Sequence, residues 1–149
     1  RQALFIDSKA EKENRTATIQ MSQTSMCVKQ KRAGIEINEK GFLPELSGYG
    51  GKNYLTTTCL IHFKYEDDEN GCHHLCEVTM AVIPNGKLQQ KYNPNSEDGF
   101  WVAGRNAPSL GEDFRVRISF DKLSGKAPWR VQKIFFSKEK KECTGIWKS

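Results

Sequence analysis

Cys72, His73, His74 and Cys76 crowd into five residues, and Cys and His are the side chains that hold zinc. On a strand Cys72, His74 and Cys76 would share one face. A tetrahedral site needs a fourth ligand, and the remaining histidine, His62, stands at no finger-like spacing. The start of a strand is the simpler reading, and neither a metal nor another cofactor is expected. Gly48-Tyr49-Gly50-Gly51-Lys52 lacks the spacing of a phosphate-binding loop and leads into a strand pattern, so no helix N-terminus waits for phosphate. A hairpin loop is expected there. Glu66-Asp67-Asp68-Glu69 lacks the alternate-position ligands of a calcium loop and reads as a solvated acidic turn. No nucleophile–base motif is recognisable. A non-catalytic binding domain is therefore expected, with an enzyme conceivable where residues beyond this chain complete a site.

The pattern that does point to a ligand lies towards the C-terminus. Arg105, Arg115, Arg117, Lys126, Trp129, Arg130 and Lys133 interleave cations with flat rings, and Phe100 and Trp101 lie nearby. Single-stranded nucleic acid is bound by this mixture, cations meeting phosphates and rings stacking on bases. The competing reading makes Trp101 and Trp129 core residues and the arginines ordinary strand exteriors.

The elements that position these residues read as strands. Tyr54 to Glu66 alternates over a long stretch: Leu55, Thr57, Cys59, Ile61, Phe63 and Tyr65 take one face, Thr56, Thr58, Leu60, His62 and Lys64 the other. Asn70-Gly71 marks a tight turn, and Leu75 to Ile83 is the returning strand. Phe114, Val116, Ile118 and Phe120 alternate with Arg115, Arg117 and Ser119, and are expected inside. Asp121 to Ala127 is expected as a turn, residues 87–98 as a loop, and Trp129 to Phe136 as a last strand. Residues 1–15, polar after Phe5 and Ile6, form an expected polar arm. A single β domain is expected over 16–137 and a basic tail over 138–149. Short strands with Gly, Pro and Asn turns imply an all-β fold, a small barrel or barrel-like sandwich of about 6–8 antiparallel strands.

Length and composition bound the rest. The 149 residues can bury a core without staples. No apolar run approaches a membrane span or a signal peptide. The missing initiator Met suggests a piece of a longer protein. Net charge is +5, but residues 1–35 carry seven Lys/Arg against three Asp/Glu, residues 36–114 six against twelve, and residues 115–149 ten against three. Basic ends around an acidic middle suit an anionic partner, and equally a merely solvated surface. Five irregularly spaced Cys favour a reducing, intracellular compartment, cytoplasm or nucleus. The Asn14-Arg15-Thr16 sequon weighs little against that.

Gly111 to Phe120, followed by Gly125 to Ile134, resembles the closing strands of cold-shock-type OB barrels, and Gly104 to Ala107 resembles the connection before them. Lys40-Gly41-Phe42 matches the first half of an aromatic RNA-binding motif of that family. The resemblance spans the last 35–40 residues or so and implies a barrel that binds RNA or single-stranded DNA. The rival reading is a protein-interaction module that takes a peptide or acidic partner at a sheet edge or groove.

The face assignment near the C-terminus is testable. Val116→Asp should abolish folding, because burial of such a side chain contributes roughly 1.5–3 kcal/mol, whereas Arg117→Ser should be tolerated. Equal melting temperatures for the two variants would contradict it.

Overall fold

The computed structural model describes residues 1–12, 16–32, 34–92, 101–103, 115–137 and 143–146. It is mostly β, with two short helices. Strands β1 (Gln2–Glu11), β2 (Thr16–Gln20), β3 (Cys27–Arg32), β4 (Ile35–Lys40), β5 (Leu46–Tyr49), β6 (Lys52–Asp67) and β7 (His73–Pro84) precede helix α1 (Gly86–Tyr92). Strands β8 (Trp101–Ala103) and β9 (Arg115–Ser119), helix α2 (Phe120–Lys126), and strands β10 (Val131–Phe136) and β11 (Cys143–Ile146) follow.

The sheets are open, which corrects the expected barrel. The largest runs β1-β6-β7-β10-β11 with β5 also on β6; β2-β9-β8 form a second sheet and β3-β4 a third. The expected all-antiparallel pairing is also corrected, because β1 runs parallel to β6 over ten residue pairs, from Gln2 opposite Leu55 to Glu11 opposite Lys64. Residues 2–11, expected as a polar arm, are thus an integral strand. Strict alternation makes it one: Ala3, Phe5, Asp7, Lys9 and Glu11 are half-buried, while Gln2, Leu4, Ile6, Ser8 and Ala10 face outwards.

The β6–β7 hairpin forms where the alternation placed it, with a bulge after Lys64. Its turn is held by Asp68, whose Oδ1 accepts from the N–H groups of Asn70 and Cys72 at 2.9 and 2.8 Å. The Gly-rich loop contracts to Gly50-Gly51, both at positive φ, between β5 and β6. The segment expected as a turn after Ser119 is instead helix α2. Ser119 caps it by accepting from the Lys122 N–H, and Phe120 and Leu123 bury its inner face. Part of the expected loop 87–98 is helix α1. The last strand begins at Val131, after a 3-10 turn opened by Pro128.

The core joins the two larger sheets. Leu60, Ala81, Ile83 and Val131 on one side meet Ala17, Ile19, Ile118, Phe120 and Leu123 on the other. Ile118 and Phe120 are fully buried, as the alternation required; Phe114 and the side chain of Val116 lie outside the described residues. A buried polar knot fastens the segment before β3 to this core. Asn85 Oδ1 accepts from the Ser25 N–H at 3.0 Å, and its Nδ2 donates to Thr58 Oγ1 at 3.0 Å. The Gly86 N–H donates to Ser25 Oγ at 2.7 Å. Gly86 sits at φ +50°, and a Cβ there would fall 2.5 Å from Glu45 Cβ, so glycine is required.

Asn85→Ala would strand the Ser25 N–H inside the core. An orphaned buried donor costs roughly 1–3 kcal/mol, so urea denaturation should show a stability loss of about 2 kcal/mol. A loss within about 0.5 kcal/mol, the usual scatter of surface substitutions, would show that the knot is dispensable.

Candidate active site

The parallel ladder decides which chemistry β1 can offer. Asp7 and Lys9 are two residues apart on one strand, so their side chains share a face. Lys9 Nζ lies 3.3 Å from Asp7 Oδ1, and the two side chains are 13% and 24% exposed for Asp7 and Lys9 respectively. Asp7 Oδ2 is buried and has no hydrogen-bond partner among the described residues. A carboxylate with one oxygen paired and the other uncommitted, beside an ammonium at the rim of a core, is an arrangement suited to polar chemistry.

The neighbouring strands extend this polar area. Leu60 stands beside Asp7, His62 beside Lys9 and Lys64 beside Glu11. Across β7 and β10 the same face continues through Ala81, Thr79 and Glu77 to Val131 and Lys133. One end of the face is therefore apolar core, and the other carries Asp7, Lys9, Glu11, His62, Glu77 and Lys133. Glu77 is buried, pairs with Lys133 at 3.3 Å and accepts from the Thr79 hydroxyl. His62 marks the boundary: it is fully buried and its ring lies 5.5 Å from that of Phe120. Burial pushes its pKa below the usual histidine value, against the pull of Glu11 and Glu77.

Among the described residues, the side chains expected to bind nucleic acid do not converge. Arg105 and the side chain of Arg115 lie outside the described residues. Arg117 is half-buried on β9, in the second sheet. Lys126 is exposed at the end of α2. Trp129 is exposed and meets Tyr92 edge-on at 5.8 Å. Arg130 is corrected outright: it is buried, and its Nε donates to the Val82 carbonyl at 2.9 Å. Lys133 is committed to Glu77. Trp129 and Arg130 line an apolar cavity of about 530 Å³ with Leu55 and Val82, which lie on the sheet face opposite Asp7.

The Cys72–Cys76 cluster holds carboxylates instead of gathering its own ligands. His73 Nδ1 meets Asp67 Oδ1 at 2.6 Å, and His74 Nε2 meets Asp68 Oδ2 at 2.8 Å. Hydrogen bonds from Lys12 and His73 hold Asp67 below the ordinary carboxylate range, and His74 does so for Asp68. Among the described residues no group of three His, Cys, Asp or Glu is placed to hold a metal ion.

Known proteins resemble this chain closely enough to correct its reading. The family model described as Type II restriction enzyme SfiI matches residues 1–134. The "Type II restriction enzyme SfiI" of Streptomyces fimbriatus is 30% identical over 157 aligned residues, spanning 99% of this chain and 58% of that protein. The crystal structure of tetrameric restriction endonuclease SfiI bound to cognate DNA superposes with a TM-score of 0.80 at 27% identity, over 95% of this chain and 56% of that one. The restriction endonuclease BglI, bound to its DNA recognition sequence, shares the fold at a TM-score of 0.72 and 17% identity, covering 89% of this chain and 53% of that one. The chain thus spans little more than half the length of these proteins. The cold-shock resemblance is overturned, since the match covers most of the chain and ends in an open-sheet fold. So is the expectation of a non-catalytic domain binding RNA or single-stranded DNA, because the relatives are restriction endonucleases. Asp7 and Lys9 were missed because Asp-Ser-Lys-Ala-Glu reads as polar. The available signal was their spacing directly after the apolar Ala3 to Ile6.

His62 makes the stability depend on pH. Its folded pKa is lowered, so its contribution is present above the unfolded value of about 6.5 and is lost as pH falls through the folded one. The melting temperature should fall between pH 7 and pH 5, and fall less steeply in His62→Leu. Asp67 and Asp68 are shifted down and titrate below this window. Equal slopes in the two proteins would assign the fall to other groups.

Proposed function

This chain belongs to the family of the Type II restriction enzyme SfiI, and on that premise we propose that it is the DNA-cleaving part of a restriction endonuclease, hydrolysing phosphodiesters of duplex DNA at Asp7 and Lys9. The observation that carries this reading is the Asp7–Lys9 pair on β1, half-buried, with one carboxylate oxygen uncommitted.

Phosphodiester hydrolysis puts negative charge on a phosphate that is already anionic. A water oxygen bonds to phosphorus and gives up a proton to the surroundings, the P–O ester bond breaks, and the leaving oxygen takes up a proton from the surroundings. Lys9 places a positive charge where that negative charge develops. Asp7 fits a divalent cation, because hard cations take carboxylate oxygens and Oδ2 has no other partner among the described residues. Bound there, such a cation would neutralise phosphate charge and make water a better nucleophile. One carboxylate is enough where the remaining ligands are waters and substrate phosphates.

Duplex DNA is favoured over single strands because the relative was solved on cognate DNA. Arg115 and Arg117 remain the candidates for holding it: β9 presents them at alternate positions, and arginine reads guanine edges and phosphates through paired hydrogen bonds. With a bacterial relative, the expected compartment is the cell interior with its DNA, and the nucleus is withdrawn. No helix among the described residues is long and apolar enough to cross a membrane.

The test uses the full-length protein with plasmid DNA and magnesium. Asp7→Asn and Lys9→Ala should each slow cleavage by about 10²–10³-fold or more and leave duplex binding in fluorescence anisotropy intact. Arg115→Glu with Arg117→Glu should weaken binding and flatten its salt dependence. Wild-type cleavage by Asp7→Asn would remove Asp7 from the reaction, and a preference for single strands would overturn the choice of substrate.

A further inference from the structure

We infer that His62 is a positioning residue for this site, holding the Glu11 carboxylate so that Lys9 stays with Asp7; the inference rests on the site proposed above. His62 is fully buried, yet neither ring nitrogen has a hydrogen-bond partner among the described residues. Buried polar groups are normally satisfied, and an orphan is a reason to look for function. Its Nε2 lies 3.8 Å from Glu11 Oε2, a gap closed by a small side-chain movement or one bridging water.

The strand pattern explains why Glu11 needs holding. Asp7, Lys9 and Glu11 occupy successive positions on one face of β1, so Lys9 stands between two carboxylates, each roughly 7 Å along the strand. Lys9 pairs with Asp7. A Glu11 free to swing back would compete for the same ammonium and draw it away from the reacting phosphate. His62 stands directly beside Lys9 on β6 and faces Glu11 from the buried side. Packing against Phe120 fixes the ring plane. Burial keeps the ring neutral near pH 7, so one nitrogen is a donor and the other an acceptor. Glu77 and Lys133 also face this region, but they are engaged with each other.

Two measurements test this. In the full-length protein, His62→Phe should lower kcat for plasmid cleavage with magnesium by roughly 10–100-fold, the usual effect of losing an orienting partner. KM and duplex affinity should hardly change, and His62→Gln, which retains a donor, should restore much of the rate. Equal losses in His62→Phe and His62→Gln, or unchanged kcat in His62→Phe, would overturn the assignment. The second measurement needs no cleavage: ¹⁵N NMR of labelled histidines should show the His62 ring in one neutral tautomer, with resonances that move in Glu11→Gln. Ring resonances unaffected by Glu11→Gln would refute the contact. A wild-type protein that cleaves no duplex would count against the nuclease reading, while the NMR result would still judge the His62–Glu11 pair.

Discussion

Pairing of β1 with β6 in parallel register is the constraint on which the site depends. Side chains alternate along a strand, so a slip of one residue would exchange the two faces. Asp7, Lys9 and Glu11 would then turn outwards, and Leu4, Ile6 and Ser8 would turn to the side that carries the core. Contacts at both ends pin the register. At the start the Arg1 carbonyl accepts from the Leu55 N–H at 3.0 Å, and the Gln2 amide donates to the Thr57 hydroxyl. At the far end Lys12 pairs with Asp67, whose carboxylate is also held by His73. One of the histidines that first suggested a metal therefore serves the ladder: His73 holds Asp67, Asp67 pairs with Lys12, and Lys12 closes the end of β1.

The large sheet spends one face on two tasks. Where Leu60, Ala81, Ile83 and Val131 lie, it is core. A few ångströms along the same strands it carries charges, and a buried charge or polar group is costly unless paired. Asn85 shows how the fold meets that cost elsewhere: its amide oxygen and nitrogen are both engaged, tying Ser25 to Thr58. Asp7 and His62 are the contrast, with buried polar atoms that lack hydrogen-bond partners among the described residues. Among the described residues the Asn85 knot is satisfied internally, whereas Asp7 Oδ2 and both ring nitrogens of His62, which lie beside Lys9, have no hydrogen-bond partner. That separation is what a site kept ready for an external partner would leave behind.

Much of the fold was legible where local pattern decides it. The β6–β7 hairpin, its Asn-Gly turn and the inward Ile118 and Phe120 follow from alternation and turn chemistry. The helix α2 was hidden because seven residues are too few for a clear period, although Ser119 and Asp121 are ordinary opening residues. The site was hidden for a different reason. Its partner strand lies some fifty positions away, and no local signal reveals a parallel neighbour. Charge density drew attention to the C-terminal third, yet density says nothing about burial: Arg130 proved to be a core residue bonded to the Val82 carbonyl, and Lys133 half of a pair with Glu77. Burial along β6 likewise does not follow polarity. Leu55, Cys59, Ile61 and Phe63 are half-buried, while Thr56, Thr58 and His62 opposite them are fully buried.

The Asp7–Lys9 contact also says something about the order of events at the site. In this structure each charge neutralises the other, so neither an incoming phosphate nor a cation meets an uncommitted partner at Oδ1. The uncommitted atom is Oδ2, and it is the atom of the pair that would hold a divalent cation. A cation sharing the carboxylate would weaken the attraction between Asp7 and Lys9, because two positive charges would then compete for one negative group. On the nuclease reading, Lys9 would then be available to a phosphate oxygen while Asp7 would hold the cation. Such a site would favour phosphate with cation over either alone, and on the nuclease reading this would couple DNA engagement to cleavage.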